Sequence, residues 1–324
     1  MAPPKIFDVL IIGGGPAGLS IAGSLARQTH TALVLDSGTY RNAAARHMHN
    51  VPGFDHVDPA DFRAKVRADL QARYASVEFR SATVREVRRL EGDNGAGDVF
   101  EAVDEEGATY RGRKLGLGTG VRDKLEGEIP GYAECWGRGV FHCLFCHGFE
   151  ERDAESSGIL VGGLLVKPDM IAHIARMAKR LSKHVTIYTN AMPDLAPSIK
   201  PIIHSSKITI DTRRISSLSL IGDGPQVRVT FTDGSTATEG FIASHPTLEQ
   251  GGANLVKQLG LETTPQGDIL VKQPVQETSV KGVFAAGDAA APMKSVVSAM
   301  YTGSFAGAGM VVQLQQEMEE KDEL

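Results

Sequence analysis

The residues best suited to chemistry lie in one stretch, His142-Cys143-Leu144-Phe145-Cys146-His147. Two cysteines at this spacing can close a disulfide within one helical turn. Where such a pair opens a helix, the helix N-terminus lowers a thiol pKa and supplies thiolate near neutral pH. Three cysteines in 324 residues are too few for a structural disulfide framework, so the spacing favours a redox or metal role. His147 follows the pair directly, and an imidazole with a pKa of about 6.5 can take a proton from an incoming thiol. A zinc site made of His142, Cys143, Cys146 and His147 is disfavoured, because adjacent His and Cys do not converge easily on one tetrahedral ion. No metal is expected. His142 reads as structural, and Cys135, in Glu134-Cys135-Trp136, as a buried inert thiol.

A second group of residues suits a dinucleotide. Phe7 to Ile12 is a short apolar run, as in a buried parallel strand. It enters Gly13-Gly14-Gly15-Pro16-Ala17-Gly18, then a helical stretch, Leu19 to Arg27, and a strand, Thr31 to Leu35, that ends at Asp36. Gly13 permits the tight turn, Gly15 lets backbone approach a pyrophosphate, and Gly18 allows close helix packing; Asp36 can accept hydrogen bonds from a ribose. Two more strand ends carry small residues that let backbone crowd a ligand. These are Gly118-Thr119-Gly120 and Gly282-Val283-Phe284-Ala285-Ala286-Gly287-Asp288.

The elements that must position these groups follow an α/β order. Pro59 to Ala72 reads as a helix and Phe79 to Gly120 as a β-meander. A second βαβ-like unit starts at Gly158–Gly163, with a helix over Pro168 to Leu181 and a strand over Val185 to Thr189. Further β runs, Val227 to Thr232 and Ala237 to Ile242, flank a turn, and a long helix from about Pro292 to Leu314 closes the chain. The expectation is two doubly wound Rossmann-like domains, the second inserted in the first, with residues 1–119 and 245–324 forming one and 120–244 the other. The net charge of -5, with both signs interspersed, asks for no nucleic-acid partner and no anionic membrane. No apolar run approaches the roughly 20 residues of a membrane span, and the N-terminus shows no signal-peptide pattern. The cytoplasm is therefore the expected compartment. Lys321-Asp322-Glu323-Leu324 spells an ER-retrieval signal, which keeps the ER lumen as the alternative.

Gly13 to Gly18, Gly118 to Gly120, Cys143 to Cys146 and Gly287-Asp288 occur in the order and at the spacing of the low-molecular-weight thioredoxin reductases, a family this chain resembles over essentially its whole length. The resemblance implies FAD, with the cysteine pair in the inserted domain beside the flavin. It implies cofactor contacts from Gly13, Gly15, Pro16, Ala17, Gly18, Asp36, Ser37, Arg41, Asn42, Val84, Thr119, Gly120, Gly287 and Asp288. It also implies that Cys146 faces the flavin and passes electrons to it, while Cys143 exchanges with substrate through a mixed disulfide. His147 stands where the family usually has an acidic residue. The family's second glycine turn, for NADPH, is degenerate here. It reads Gly162-Gly163-Leu164-Leu165-Val166-Lys167-Pro168, and Tyr188-Thr189-Asn190-Ala191 after the next strand has no arginine pair.

This departure, together with Asp36-Ser37-Gly38-x-Tyr40-Arg41-Asn42, His47-Met48-His49-Asn50 and Glu134-Cys135-Trp136, resembles the dithiol oxidases of gliotoxin and holomycin biosynthesis. That resemblance implies a homodimeric enzyme that closes a disulfide in a small-molecule dithiol, an epidithiodiketopiperazine type, with O2 as acceptor and H2O2 as product. An NADPH-dependent thioredoxin-type reductase is the alternative, and a dithiol-sequestering binding protein a third reading.

Overall fold

The computed structural model describes residues 5–91, 99–127 and 129–324. Its contacts divide the chain into two compact units. One comprises Met1–Ala43, Asp58–Arg122 and Glu249–Leu324, the other Ala44–Val57 and Asp123–Leu248. The segment 44–57 groups with the second unit, although the sequence order alone places it with the first.

In the first unit β1 (Ile6–Ile12), α1 (Pro16–Ala26), β2 (Ala32–Asp36), α2 (Pro59–Arg73), β3 (Val77–Ser81), β4 (Val84–Leu90), β5 (Val99–Asp104) and β6 (Thr109–Leu117) follow in order. They build a sheet of order β3-β2-β1-β6-β5-β4, with the strand Val283–Ala285 also paired to β6. The pairs β1–β2, β2–β3, β1–β6 and β6 with Val283–Ala285 are parallel. The pairs β4–β5 and β5–β6 are antiparallel, so β6 belongs both to the parallel sheet and to the expected meander. The central strands are apolar throughout because helices cover them. The closing helix, Val296–Glu319, packs on α1. Small residues permit that approach: a Cβ at Gly303 would overlap the Ala17 carbonyl oxygen, and one at Gly307 would meet the Ser24 Cβ at 2.6 Å. Val9, Ile11, Ile21, Leu25, Met310 and Leu314 form the core there.

The second unit holds a five-stranded parallel sheet. Its order is Ile208–Asp211, Ser182–Tyr188, Ala154–Leu160, Ile242–Ser244, Val140–Phe141. The helix Pro168–Lys179 covers it with Ile171, Ile174 and Ala175. A three-stranded antiparallel sheet, Ile215–Leu220, Val227–Phe231 and Thr236–Glu239, completes the unit. The run expected as one strand from Ala237 to Ile242 is two. It breaks at Gly240, where a Cβ would meet the Ala154 Cβ at 2.8 Å, and the chain crosses there from the antiparallel to the parallel sheet.

Candidate active site

The turn after β1 is built as a cradle. Gly13 has φ of 108°, and a Cβ there would overlap the Gly118 carbonyl oxygen; one at Gly18 would overlap the Gly13 carbonyl. Gly15 is the N-cap of α1, and a Cβ on it would meet nothing within 4 Å. Pro16 takes the first helical position, where the missing N–H costs nothing. No side chain caps α1 and no acid lies in its first turn, so its free N–H groups and positive dipole end are left for an anion. Ala17 packs under Gly287, whose φ of 71° and N–H bond to Thr302 Oγ1 at 2.9 Å fix the second strand end. Gly120, at φ 65°, accepts the Gly251 N–H at 2.9 Å. The Thr119 hydroxyl is buried with no hydrogen-bond partner among the described residues.

At the end of β2, Asp36 is 6% exposed. It accepts the Gly38 N–H at 3.1 Å and the Tyr40 hydroxyl at 2.6 Å. Burial, and then that bond to a carboxylate, push the Tyr40 phenol up to about 12. Ser37 Oγ accepts the Thr39 N–H at 3.3 Å. Arg41 pairs with Asp288 at 3.0 Å, which brings together two expected cofactor residues 247 positions apart. Asn42 accepts from Arg63 at 3.1 Å. The Val84 side chain is buried in the sheet's core, so any contact it makes with a cofactor runs through its backbone. A dinucleotide fits this cradle. The open space before Gly15, the uncapped end of α1 and the unpaired Thr119 hydroxyl are the features it would satisfy.

In the second unit Cys143 and Cys146 form a disulfide with Cα atoms 5.2 Å apart. Cys143 is the N-cap of a single helical turn, Leu144–His147, and the N–H groups of Cys146 and His147 both donate to its carbonyl. The helix expected at the pair is thus one turn long. A macrodipole of that length is small, and thiolate stabilisation falls to the local N–H groups. Phe145 and Phe149 flank Cys146 and are 71% and 67% exposed. The Asn50 side chain donates to the Phe145 carbonyl at 2.8 Å, which ties the loop between Met48 and Val57 to the redox turn. An open pocket of about 560 Å³ adjoins it, lined by His49, Asn50, His56, Phe145, Phe149 and other residues of this unit.

His147 stacks on Phe141, with ring centroids 4.9 Å apart and planes 3° from parallel. Both its ring nitrogens are buried with no partner among the described residues. Burial lowers its pKa below 6.5; Glu150 opposes the shift and His49 adds to it. The ring is therefore neutral at neutral pH, with a lone pair free to accept a proton. His142 stacks against Trp136 at 5.8 Å. Cys135 is a buried free thiol, pushed up to about 11 by burial.

The second glycine turn closes on itself. Gly162 and Leu165 exchange hydrogen bonds at 3.1 and 2.8 Å, and the Leu164 N–H donates to the His245 carbonyl at 2.8 Å. A cavity of about 10 Å³ remains beside Gly162 and Asn190, roughly the minimum of about 10–15 Å³ that holds one water. Asn190 Oδ1 accepts the Ile215 N–H at 2.9 Å. Arg176 and Lys179 donate to the carbonyls of Ile202 and Ser182, and Lys183 pairs with Glu155.

Residues 7–303 match the family described as pyridine nucleotide-disulphide oxidoreductase. The chain belongs to this family. It is 42% identical to thioredoxin reductase tcpT of Claviceps purpurea over 97% of this chain and 96% of that one. With thioredoxin reductase aclD of Aspergillus oryzae it shares 43% identity, over 97% and 98% of the two chains. The crystal structure of HlmI superposes with a TM-score of 0.84 at 26% identity, covering 98% of this chain and 95% of that one. As a member of the family the chain is an FAD flavoenzyme with a disulfide-oxidoreductase role.

Several residues around the family's two sites were not singled out by the sequence. Arg63 lies over the Tyr40 ring at 3.7 Å, and Arg67 lies 3.7 Å from Asp36. Their i, i+4 spacing on α2 was the available signal, but it is shared by many solvated helix faces. Lys294 binds Asp268 at 2.7 Å and the carbonyls of Asp288 and Ala291 at 2.9 Å, and so braces the strand end that carries Asp288. No local pattern announces that.

Proposed function

We propose that the protein is an FAD-dependent dithiol oxidase. It closes a disulfide in a small-molecule dithiol of the dithiolated diketopiperazine type and passes the electrons to O2. The balance is R(SH)2 + O2 → R(S–S) + H2O2. The observation that carries this reading is the self-closed turn at Gly162–Leu165. The N–H groups of Gly162, Leu164 and Leu165 are spent within the protein, whereas a bound pyrophosphate needs such groups free.

The first substrate thiolate attacks Cys143 Sγ and breaks its bond to Cys146, which leaves as thiolate. The second substrate thiolate attacks the substrate sulfur of this mixed disulfide. The product disulfide forms and Cys143 departs as thiolate. The neutral His147 ring accepts the thiol proton, a role suited to an imidazole. Phe145 and Phe149 offer the exposed apolar surface that a compact bicyclic product would cover. Gly13, Gly15, Gly18, Asp36, Thr119 and Asp288 and their neighbours would hold FAD, which would supply a two-electron acceptor for the reduced cysteine pair.

The test is aerobic turnover of reduced gliotoxin, or a similar dithiol, without NADPH. Formation of equal amounts of disulfide and peroxide is expected; absence of both overturns the reading. The relatives' designation as thioredoxin reductases favours a second reading, an NADPH-dependent thioredoxin-type disulfide reductase. It requires that NADPH bleach the flavin anaerobically.

The enzyme acts as a homodimer in the cytoplasm. Val297, Tyr301 and Phe305 form an exposed apolar stripe on the closing helix at i, i+4 spacing, which supports a covered face. Light scattering on the purified chain tests the dimer. No helix among the described residues is long and apolar enough to cross a membrane.

A further inference from the structure

The loop beside the redox turn is a narrow hairpin. Met48 and Val57 pair antiparallel, and the N–H of His56 donates to the Met48 carbonyl at 2.9 Å. The next positions inward, His49 and His56, therefore face each other across its mouth. His56 adopts φ of 60°, uncommon for a residue with a side chain, and its ring is held by stacking on His47 at 3.9 Å. From the other side of the pocket comes Glu150, whose Oε1 lies 3.2 Å from His49 Nε2. One ligand atom from each of His49, His56 and Glu150 lies within 4.8 Å of the others.

We propose that His49, His56 and Glu150 form a binding site for a divalent first-row cation of the zinc class. Two imidazoles and one carboxylate are the donor set of an open zinc site, whereas magnesium and calcium take oxygen donors. Zinc bonds of about 2.0–2.1 Å set tetrahedral ligand atoms about 3.3 Å apart, so the site closes by small rotations of the exposed His56 and Glu150 side chains. A separate feature points the same way. The other nitrogen of His49, Nδ1, faces the Asp55 carboxylate at 3.5 Å, the carboxylate–histidine arrangement that orients metal-bound imidazoles. His49 side-chain exposure is 14%, so this ring is set in place before any ion arrives. The neighbouring cation, Arg152, is turned onto the Phe149 ring at 4.1 Å and donates to the Phe149 carbonyl. The three ligands leave a fourth position open to the pocket that Phe145 and Phe149 also line.

None of its ligands is given a chemical step in the redox reading, although His49 and Glu150 lie close enough to His147 to act on its charge. Titration calorimetry of Zn2+ into the oxidised holoenzyme tests it, because the disulfide and the buried Cys135 take the thiols out of competition. One ion per chain should bind saturably. His56→Asn and Glu150→Gln should each weaken binding by about 100-fold or more, and Asp55→Asn by roughly 10–100-fold as the partner behind a ligand. Flavin absorbance and circular dichroism check that each variant is folded. Zinc-edge absorption should show nitrogen and oxygen neighbours. Absence of saturable binding, binding unchanged in both ligand variants, equal binding of Mg2+, or a sulfur neighbour overturns the proposal.

Discussion

Replacing His147 with phenylalanine preserves a ring that can stack on Phe141 and removes the proposed proton acceptor. The imidazole is stacked, buried and without a hydrogen-bond partner among the described residues, and burial holds its pKa below 6.5. At pH 7.5 a group with a pKa below about 6.5 is more than about 90% neutral, so nearly every molecule has a competent base. A positioned general base contributes about 10²–10⁴-fold, and the His147→Phe variant should lose that much in the rate at which a small dithiol reduces the pair. Stopped-flow flavin absorbance, with chelator present, reads this step. Dividing the wild-type rate by the variant rate at each pH cancels ionisation of the substrate thiols. The ratio should be flat above about pH 6.5 and fall only below it, as the imidazole becomes charged. Stability follows the same proton. The folded pKa is lowered, so the unfolded chain binds more protons between the two values. Wild-type stability should therefore fall as pH drops through the window below 6.5, by at most about 1.4 kcal/mol per pH unit, and the variant should lack this slope. Glu150 and His49 also act on the ring, so Glu150→Gln should move the fall to lower pH. A ratio near one at pH 7.5, or one that starts to fall above pH 6.5, refutes the assignment.

Cys143→Ser should abolish exchange with dithiols. Mixed with the product disulfide, Cys146→Ser should trap a mixed disulfide on Cys143 by thiolate–disulfide exchange, read as the mass of one product molecule added to the intact protein, and the same adduct on Cys146 in Cys143→Ser but not on Cys143 in Cys146→Ser would reverse the two roles. Gly18→Ala pushes a Cβ into the Gly13 carbonyl; overpacking of this kind costs about 1–3 kcal/mol, so the purified variant should carry less flavin and melt at lower temperature. Removing Lys321–Leu324 breaks the exposed Arg113–Glu323 pair at 3.3 Å, worth about 0–1 kcal/mol, and leaves the Met318 and Glu319 carbonyls at the helix end to water. Melting temperature should barely change, and, on the proposed cytoplasmic location, fluorescence of an N-terminally tagged chain should be cytoplasmic with or without these four residues.

What was legible in the sequence followed from backbone constraints. Gly13 and Gly18 announce their turn because a side chain does not fit at either position, and the Cβ overlaps bear this out, whereas Gly15 keeps clear the space in front of the helix. The apolar runs of β1 and β2 mark buried parallel strands for the same reason that they are apolar, since helices cover them. The disulfide follows from spacing. What was not legible depends on partners far apart in sequence. Arg41 meets Asp288 across 247 positions, and Asn50 reaches Phe145 across 95. His47 and His49 belong to a stretch that carries the family resemblance but no assigned role, and His56 joins them only when the hairpin closed by Met48 and Val57 gathers them. The sequence set no length for the helix at Cys143, which is a single turn, Leu144–His147. Its stop comes with Gly148, where a Cβ would overlap the Leu144 carbonyl and crowd Leu181 Cδ1 at 2.7 Å.

The two glycine turns differ less in their glycines than in where their polar groups go. Buried polar groups in folded proteins find partners, so an unsatisfied set marks a place that a ligand completes. At the first turn α1 is uncapped, the space before Gly15 is open and the Thr119 hydroxyl has no partner among the described residues. That turn is incomplete without its dinucleotide. At the second turn Gly162, Leu164 and Leu165 have spent their N–H groups on one another and on the His245 carbonyl. To admit a pyrophosphate there, those bonds would have to break and the small cavity beside Asn190 would have to open. The freed N–H groups would turn to the pyrophosphate, and each carbonyl they abandon would be left unsatisfied at about 1–3 kcal/mol. Three such bonds would remove about 3–9 kcal/mol from the binding of NADPH, enough to weaken it by at least about a hundredfold. Reduction of the flavin by dithiol at concentrations where NADPH leaves it oxidised is the behaviour this difference requires.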